Sequence, residues 1–277
     1  MLMKRYSIFL LLFLTGGAIN VCAGEYDDLL KTNHFVEYPV PIYGSDEWTD
    51  ANRDDNTFFV GIRDGEVSIS TAVPYNENII FDAGNIKYEG TNNGEWGGGL
   101  TAIYPDGTRQ PLIAENIVSI LPFNRAPATT TEESVAGKPG LYVFTGLAHL
   151  GSSSGAIYVI EDYETNPAAR KITLLPDAPS AITIHKYNNE DVSIIIVGSS
   201  TVLTYVPEWD DLEVLLIDQF WWGMSPTSAV SKNYELLIGM RSGLISIDLN
   251  QPEITARYFR KSGPGNTLKG APSNAVP

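Results

Sequence analysis

The chain has 277 residues, of which 43% are hydrophobic and 10% aromatic, and its formal net charge is −15. This apolar fraction supports a large core, and 25 glycines with 17 prolines supply many turns, which favours one large all-β domain or two small ones. A surface this acidic repels phosphate backbones and anionic lipid headgroups, so we expect no nucleic-acid partner, whereas a basic protein, a cation or a neutral sugar fits the charge.

Residues 1–23 have the pattern of a secretory signal peptide. Lys4 and Arg5 precede the apolar run Ile8–Leu14, and small residues follow up to Ala23. The run is too short to span a membrane as a helix. We therefore expect an exported protein, periplasmic or secreted, with no stable membrane insertion after cleavage.

Cys22 is the single cysteine of the chain, and it raises the alternative of a lipid-anchored lipoprotein. The residue before it is Val21, where lipoprotein signals carry Gly, Ala or Ser, so we favour cleavage after Ala23. The mature chain then has no disulfide, and its stability must come from burial and from closure of the fold.

Short apolar runs separated by turn residues follow in chain order, and each run predicts a strand. HFVEYPV from His34 predicts one strand, and TFFVGIRDGEVSIST over Thr57–Thr71 predicts two. Four runs between Asn78 and Ala114, namely NIIFD, NIKYEG, GLTAIYP and TRQPLIA, predict a unit of four strands. No helix-period stretch of convincing length is visible in the mature chain.

Three further units repeat the same pattern with stronger signals. Each begins with a serine before two apolar residues and continues with an apolar run that ends in glycine; a third and a fourth run then follow short turns. The serines are Ser119, Ser180 and Ser228, and the glycines are Gly146, Gly198 and Gly239. Self-similarity with a blade-sized interval is typical of repeat folds.

Four antiparallel strands cannot bury both of their faces alone, and repetition around an axis covers the faces and protects the edges. We therefore predict an all-β fold: a single β-propeller domain over residues 24–261, with five four-stranded blades. Six blades is the alternative, if residues 24–56 contain more strand than one run. HFVEYPV is placed to close the ring by pairing into the last or the first blade.

Two segments lie outside this scheme. Asn124–Gly140 is rich in Pro, Thr and Ala, and it predicts an irregular insertion between the first and second strands of its blade. Residues 262–277 predict a flexible C-terminal tail.

The Gly-x-Arg-x-Gly-apolar phrase at Gly239–Leu244 resembles the blades of sensor-type and quinoprotein-like propellers of exported bacterial proteins. The resemblance covers most of the mature chain at the level of architecture, and it is not specific to one family. Propeller families share a shape and not a chemistry, so the resemblance implies a fold and leaves the activity open.

In such a fold, the turns between second and third strands and the links between blades emerge on one face. This rim would present aromatic and arginine side chains suited to protein or sugar recognition. Its candidate ligand-binding residues are Arg63, Trp96, His149, Trp221, Trp222 and Arg241. Asp177, Phe220 and Met224 are expected on the same rim. The alternative for one or both of the adjacent Trp221 and Trp222 is packing between blades, and for Arg63 and Arg241 a solvated turn position.

Five-bladed propellers include glycoside hydrolases, which use axial carboxylates as general acid and as base or nucleophile. The candidates here are Asp54, Asp55, Asp177 and Asp218, although 33 acidic residues make carboxylates abundant everywhere. Gly151–Gly155 has the G-x-S-x-G spelling of a hydrolase nucleophile elbow around Ser153. That motif needs a helix after the serine, and a strand is predicted there.

Metal chemistry has weak support. Asp50, Asn52 and Asp54 have the one-three-five spacing of a calcium loop, but Asp55 stands where the loop needs glycine and Gly61 where it needs glutamate. A solvated acidic loop is therefore favoured over a structural calcium site, and we expect no cofactor. The three histidines, which fall in different units and so do not predict a zinc site, are His34, His149 and His185.

The leading hypothesis is an exported, soluble, monomeric propeller that binds a protein or glycan partner through this rim without catalysis. A glycoside hydrolase acting at the same mouth is one alternative. An envelope inhibitor or immunity protein, whose acidic surface neutralises a basic toxin, is another.

Overall fold

The structure, a computed structural model, describes residues 26–71, 78–123, 140–187 and 190–262. The predicted signal peptide, the predicted insertion up to residue 139 and all but the first residue of the predicted tail lie outside the described residues. Within the described ranges, no helix is long and apolar enough to cross a membrane.

The described chain is all-β and forms five antiparallel sheets. Sheet I is the hairpin of β2 (Phe59–Arg63) and β3 (Glu66–Ser70). Sheet II contains β4 (Asn78–Asp82), β5 (Lys87–Asn92), β6 (Gly98–Ile103) and β7 (Arg109–Ile113). Sheet III contains β8 (Ile117–Phe123), β9 (Gly140–His149), β10 (Ser152–Glu161) and β11 (Ala168–Leu175).

The remaining strands complete sheets IV and V. Sheet IV contains β12 (Pro179–Tyr187), β13 (Glu190–Gly198), β14 (Val202–Val206) and β15 (Asp211–Leu216). Sheet V contains β16 (Ser228–Lys232), β17 (Glu235–Met240), β18 (Gly243–Asp248) and β19 (Ala256–Lys261), with β1 (Phe35–Tyr38) on its outer edge. Sheets II to V are the four repeated units that the sequence predicts, with strands paired in chain order.

The pairing predicted for HFVEYPV is confirmed in the last sheet. Phe35 lies opposite Lys261 and Tyr38 opposite Tyr258, so β1 adds a fifth strand to sheet V. The rest of residues 26–56 contains two short helices, α1 (Asp27–Thr32) and α2 (Asp46–Asn52), and no further strand. This region therefore does not supply a sixth sheet.

The two helices are too short for their apolar period to be visible in the sequence. The sequence does contain a start signal for α2, because Ser45 is its N-cap and accepts a hydrogen bond from Trp48 N at 3.1 Å. Asp46 and Glu47 in the first turn complement the helix dipole.

Consecutive sheets pack face to face through apolar clusters, which join sheet II to III, III to IV, IV to V and V to I. The strand β13 shows why these runs are apolar at every position. Ile194 and Ile196 face sheet III, whereas Ile195 and Val197 face sheet V. A strand that buries both faces has no polar alternation, because side chains on successive residues point to opposite sides.

The first strands of sheets III, IV, V and I lie side by side, since β8 contacts β12, β12 contacts β16 and β16 contacts β2. Sheet II contacts sheet III through β4 and β5. Within the described ranges, no apolar cluster joins sheet I to sheet II. The five sheets therefore follow one another side by side as propeller-like blades.

A glycine lies in the second half of the second strand of each four-stranded sheet, and an adjacent link or strand passes directly over it. A Cβ on Gly90 would lie 2.7 Å from Ile117 Cγ2, one on Gly146 2.6 Å from Pro179 Cδ, and one on Gly239 2.5 Å from Phe58 O. A Cβ on Gly198 would overlap the carboxylate of Asp177 in the same way. The glycines that the sequence repeats are therefore required by close packing between sheets.

The two Gly-x-Arg-x-Gly segments have the same sequence pattern but lie at different places in the fold. Gly239 and Gly243 flank the tight turn between the second and third strands of sheet V. Gly61 and Gly65 belong to β2 and to its turn with β3, which are the first two strands of sheet I. A Cβ on Gly61 would meet nothing within 4 Å, whereas Gly65 has a φ of +81°.

The direction of β2 corrects the placement of Arg63. Val60 N donates to Ser228 Oγ at 2.7 Å at the start of β16, and Glu66 lies 3.8 Å from Lys232 at its end. Thus β2 runs in the same direction as β16. The exposed Arg63 therefore lies at the end of the sheets opposite to the turn that carries Arg241.

Gly239→Ala tests the close packing between sheets V and I. Because the new methyl group would overlap a backbone oxygen, we expect the free energy of unfolding to fall by about 1–3 kcal/mol. The matched control is Gly61→Ala, in the second Gly-x-Arg-x-Gly segment, where a Cβ meets nothing within 4 Å. It should change the free energy of unfolding by less than about 0.5 kcal/mol. Equal losses in urea denaturation would contradict the packing account.

Candidate functional site

The turns between second and third strands and the links between sheets lie on one face, called here the mouth face. Asn116, in the link from sheet II to sheet III, accepts from Asn93 N at 3.1 Å and donates to Gly94 O at 2.7 Å in the turn of sheet II. Arg241 N, in the turn of sheet V, donates to Met224 O at 3.0 Å in the preceding link. Turn and link are thus held together around this face.

Cavity A is a hollow of about 330 Å³ on the mouth face, between the β9–β10 turn and the link into sheet V. Trp222 and His149 both line it. The rest of the lining is rich in hydroxyl groups, from Ser152, Ser153, Ser180, Ser199 and Ser225. Among the described residues, no Asp, Glu, Lys or Arg side chain lines this cavity.

Cavity B, of about 460 Å³, lies on the same face between sheets II and III. Its lining includes Leu147, Leu174, Glu95 and Lys171, which gives it both apolar and charged walls. Within it, Glu115 accepts hydrogen bonds from Lys171 Nζ at 2.8 Å and from the hydroxyls of Tyr158 and Thr145, each at 2.6 Å.

These contacts decide the charge state of Glu115. Burial alone would raise the pKa of this carboxyl, but the hydrogen bonds from Lys171, Thr145 and Tyr158 outweigh it and lower the pKa below its usual value. Glu115 is therefore a fixed anion that holds the wall of cavity B together.

A hairpin extension separates the two cavities. Gly146 and Gly155 pair across β9 and β10, and both strands continue beyond them to His149 and Ser152, whereas sheet V turns at once between Met240 and Gly243. We call residues 147–154 the hairpin tip. His149 Nε2 lies 3.2 Å from Glu95 Oε2, which ties the tip to the short 3₁₀ helix Gly94–Trp96 of sheet II.

Leu150 forms the apex of the hairpin tip and is 92% exposed. Its φ is +50° and that of Gly151 is +79°, so both turn residues are left-handed. Such two-residue turns favour Asn-Gly or Asp-Gly, and the β2–β3 turn uses Asp64 and Gly65 in this way, with φ values of +54° and +81°. Leucine at the apex therefore strains the backbone.

Trp221 and Trp222, which are adjacent in the link from sheet IV to sheet V, differ in exposure. Trp222 is 47% exposed, and its ring packs edge-on against Tyr43 at a centroid distance of 5.7 Å. Tyr43 in turn packs against Trp48 of α2, whose Nε1 donates to Phe220 O at 2.7 Å. The helix α2 therefore braces the exposed tryptophan.

Trp221 is completely buried in the core between sheets IV and V, with Phe220 and Met224 beside it in the same cluster. This corrects the expectation that Trp221, Phe220 and Met224 lie on an open rim, and for Trp221 the alternative of packing between blades holds. Trp96, by contrast, is 85% exposed on the mouth face.

Arg241 is engaged in the scaffold. Its Nη1 donates to Asn52 O at 2.8 Å and so fixes the end of α2 on the mouth face. Of the six residues proposed for ligand binding, the structure brings His149 and Trp222 together at cavity A and places Trp96 beside cavity B. Arg63 and Trp221 lie elsewhere.

The proposed catalytic carboxylates are dispersed or already engaged. Asp54 forms an ion pair with Arg260 at 2.8 Å, and Asp55 and Asp218 are exposed. Asp177 is 5% exposed and accepts from four groups: Ser153 Oγ, Ser199 Oγ at 2.7 Å, Ser200 N at 3.0 Å and Thr201 Oγ1 at 3.1 Å.

Burial by itself would raise the pKa of Asp177, but these hydrogen bonds outweigh it and lower the pKa below its usual value. A general acid needs a raised pKa, so Asp177 is unsuited to that role. Ser153 donates to Asp177 and accepts from Ala178 N at 2.9 Å, and it lies within β10. It is therefore a structural hydroxyl on a strand and not a nucleophile elbow.

The residues proposed for calcium do not form a loop. Asp50 and Asn52 belong to α2, and Asp54 is held by Arg260. Within the described part of the chain, no three His, Cys, Asp or Glu side chains are grouped so that they could hold a metal ion.

Sequence reasoning missed the separation of the mouth into two cavities. A signal was present in the glycine spacing, because nine positions separate Gly146 from Gly155 and only four separate Gly239 from Gly243. The longer interval is the hairpin tip. The bracing of Trp222 by Tyr43 had no comparable signal, since it depends on α2.

No family model matches the chain, and no curated protein matches its sequence. Among solved structures, the chain is similar to the extracellular domain of a one-component system from B. thetaiotaomicron, with 13% identity and a TM-score of 0.43 over 80% of this chain and 30% of that one. It is also similar to an exo-β-1,3-galactanase from Bifidobacterium bifidum s17, with 11% identity and a TM-score of 0.33 over 72% of this chain and 75% of that one. The chain thus spans less than a third of the first of these proteins.

Asp177→Asn tests the hydrogen-bonded carboxylate between sheets III and IV. A lowered pKa in the folded state means that the charge stabilises the fold above the unfolded pKa, and that this stability is lost as the pH falls through the lowered value. At pH 7 we expect the variant to lose about 1–3 kcal/mol in the free energy of unfolding.

The difference in stability between the wild type and the variant should shrink below about pH 4. There the unfolded wild-type chain is protonated at Asp177, so folding no longer gains the full stabilisation by the charge. Denaturant titrations at both pH values measure it, with Asp218→Asn as the exposed control. A deficit that is constant with pH would contradict the role of the charge.

Leu150→Asn tests the strain at the apex. Asparagine tolerates a left-handed φ better than leucine does, so we expect the free energy of unfolding to rise by about 0.5–1 kcal/mol. Leu174→Asn, an exposed leucine within β11, should bring no such gain. A loss of stability in Leu150→Asn, measured by thermal and chemical unfolding, would count against the strained turn.

Proposed function

We propose that the chain is an exported, non-enzymatic β-propeller of five blades that binds a neutral glycan at its mouth face. The observation that carries the proposal is cavity A, in which an exposed tryptophan stands against a wall of serine hydroxyls. Export is supported by the signal-peptide pattern of residues 1–23. The ring closes, in this proposal, where sheet I meets sheet II.

The chemistry of cavity A suits a sugar ring. A sugar presents a C–H face, which packs on an aromatic ring, and hydroxyls at its edge, which both donate and accept hydrogen bonds. Trp222 offers the aromatic surface. Ser152, Ser180 and Ser225 offer hydroxyls that donate and accept in the same way, whereas Ser153 and Ser199 already donate to Asp177. A volume of about 330 Å³ falls within the range of small-molecule sites.

Two features favour a rigid and selective site. Tyr43 and α2 hold Trp222, so that little side-chain freedom is lost when a ligand binds. The net charge of −15 repels anionic sugars and phosphorylated ligands at long range. A neutral glycan avoids this repulsion.

Binding without catalysis is supported by the state of the carboxylates. Glycoside hydrolysis needs an acid with a raised pKa and a second carboxylate across the bond. Asp177 has a lowered pKa and four hydrogen-bond donors around it, and Asp54 is paired with Arg260. Asp177 is therefore unsuited to the role of general acid, and the Asp54 carboxylate is engaged by Arg260.

Trp222→Ala tests the proposal directly. We expect the affinity for a neutral oligosaccharide selected on a glycan array to fall by at least about tenfold, or 1.4 kcal/mol, because the stacking surface is removed. The free energy of unfolding should change by no more than about 1 kcal/mol, since Trp222 is 47% exposed and makes one ring contact.

The matched control is Trp209→Ala, because Trp209 is 71% exposed in the β14–β15 turn, at the other end of the sheets. Its affinity should equal that of the wild type. Equal losses in both variants, or a chain that binds basic proteins and no neutral glycan, would overturn the proposed function.

A further inference from the structure

We propose that the mouth face holds two glycan subsites, one in each cavity, and that a single neutral glycan chain crosses the hairpin tip to occupy both. This inference rests on the proposed function, and it specifies the ligand class further: an oligosaccharide chain in place of a single sugar. The two cavities have volumes of about 330 and 460 Å³.

The hairpin tip is a partition with one face in each cavity. Leu147 and Ser154 pair across the two strands, and both line cavity B. The next pair, Ala148 and Ser153, lines cavity A. The rest of the tip, residues 149–152, also lines cavity A, so the same short element forms a wall of both subsites.

Each subsite has an exposed tryptophan next to it. Trp222 lines cavity A, and Trp96 lies between Glu95 and Gly97, which both line cavity B. The two tryptophans lie on the same face of the protein, one at each cavity. Two such aromatic surfaces suit an oligosaccharide, because each sugar ring of the chain has its own C–H face.

Polar groups in cavity B can meet sugar hydroxyls. Glu95 and Lys171 have side chains that are 47% and 43% exposed, and both line the cavity. Glu115 holds Lys171 in place, so the ammonium group is a pre-positioned donor with further N–H capacity. The charged groups of the described residues that line this subsite are Glu95, Glu115 and Lys171, two carboxylates and one ammonium, so the subsite disfavours an anionic ligand and admits a neutral one.

The apex of the partition is apolar and strained. Leu150 is 92% exposed with a left-handed φ, at a position that favours asparagine or aspartate. A strained residue that is retained at an exposed apex is expected where it contacts a ligand. The C–H face of a sugar unit passing over the tip would make that contact.

The width of the tip sets the length of the ligand. A chain that reaches both cavities must cross the thickness of the hairpin with its side chains, on the order of 10 Å, so it needs at least one unit over the tip and one on either side. Affinity should therefore rise steeply at about three units, because the second subsite then binds within the same molecule.

The experiment measures dissociation constants by calorimetry for the mature chain with neutral oligosaccharides of increasing length. The probes are cello-, laminari- and malto-oligosaccharides of about one to six units. In the series that binds, we expect affinity to rise at least about thirtyfold between one unit and four, and to level off thereafter.

Three variants separate the subsites. Trp222→Ala and Leu150→Asn should weaken every length, because both residues line cavity A, whereas Trp96→Ala should weaken only the longer oligosaccharides, by at least about fivefold. Trp209→Ala serves as the unaffected control. Leu150→Asn relieves strain, so a loss of binding there cannot be a consequence of unfolding.

The outcomes distinguish this inference from the proposed function. Binding that is independent of length, or long oligosaccharides unaffected by Trp96→Ala, would overturn the two subsites and leave a single glycan site at cavity A. If no neutral oligosaccharide of any length binds, the proposed function and the two subsites fall together.

Discussion

The arrangement of the sheets depends on one packing constraint. In each case, the chain of one sheet passes directly over a glycine in the second strand of the neighbouring sheet. At Gly90, Gly146 and Gly239 the approaching atoms leave no room for a Cβ, and each contact lies at the mouth end of its sheet. Apolar residues on both faces of β13 and β17 then fill the space behind these contacts. Because the sheets are held this closely, their turns and links meet on one face, where cavities A and B form.

The mouth face combines a rigid base with polar groups that are already satisfied. Asp177 and Glu115 are buried or partly buried anions whose hydrogen bonds lower their pKa values, so they act as fixed anchors between sheets and not as reactive acids. The surface that remains accessible around the hairpin tip is hydroxyl, aromatic and aliphatic in cavity A, and in cavity B it also includes the charged groups of Glu95 and Lys171. Such a surface is suited to binding by shape and stacking, with hydrogen bonds setting the orientation of the ligand.

Much of this could be predicted from the sequence, because repeated turn spacing and apolar runs depend on local chemistry. The four repeated units, the pairing of β1 and the position of the mouth residues His149 and Trp222 follow from that pattern. The exposure of Trp222 and the burial of its neighbour Trp221 could not, since two adjacent residues differ only in which side of the link faces the core. The sequence predicts the wrong end of the sheets for Arg63. The reason is that the Gly-x-Arg-x-Gly pattern occurs both around the Asp64-Gly65 hairpin turn and at the close-packed glycines Gly239 and Gly243.

Hydrogen–deuterium exchange of the mature chain, with and without a saturating neutral oligosaccharide, tests the central claim most directly. The account predicts slower exchange in residues 90–98, 146–155 and 217–226, which surround the two cavities, and unchanged exchange in the turns at 162–167 and 207–210 at the other end of the sheets. Protection confined to those distant turns, with no change around the hairpin tip, would contradict a binding site on the mouth face.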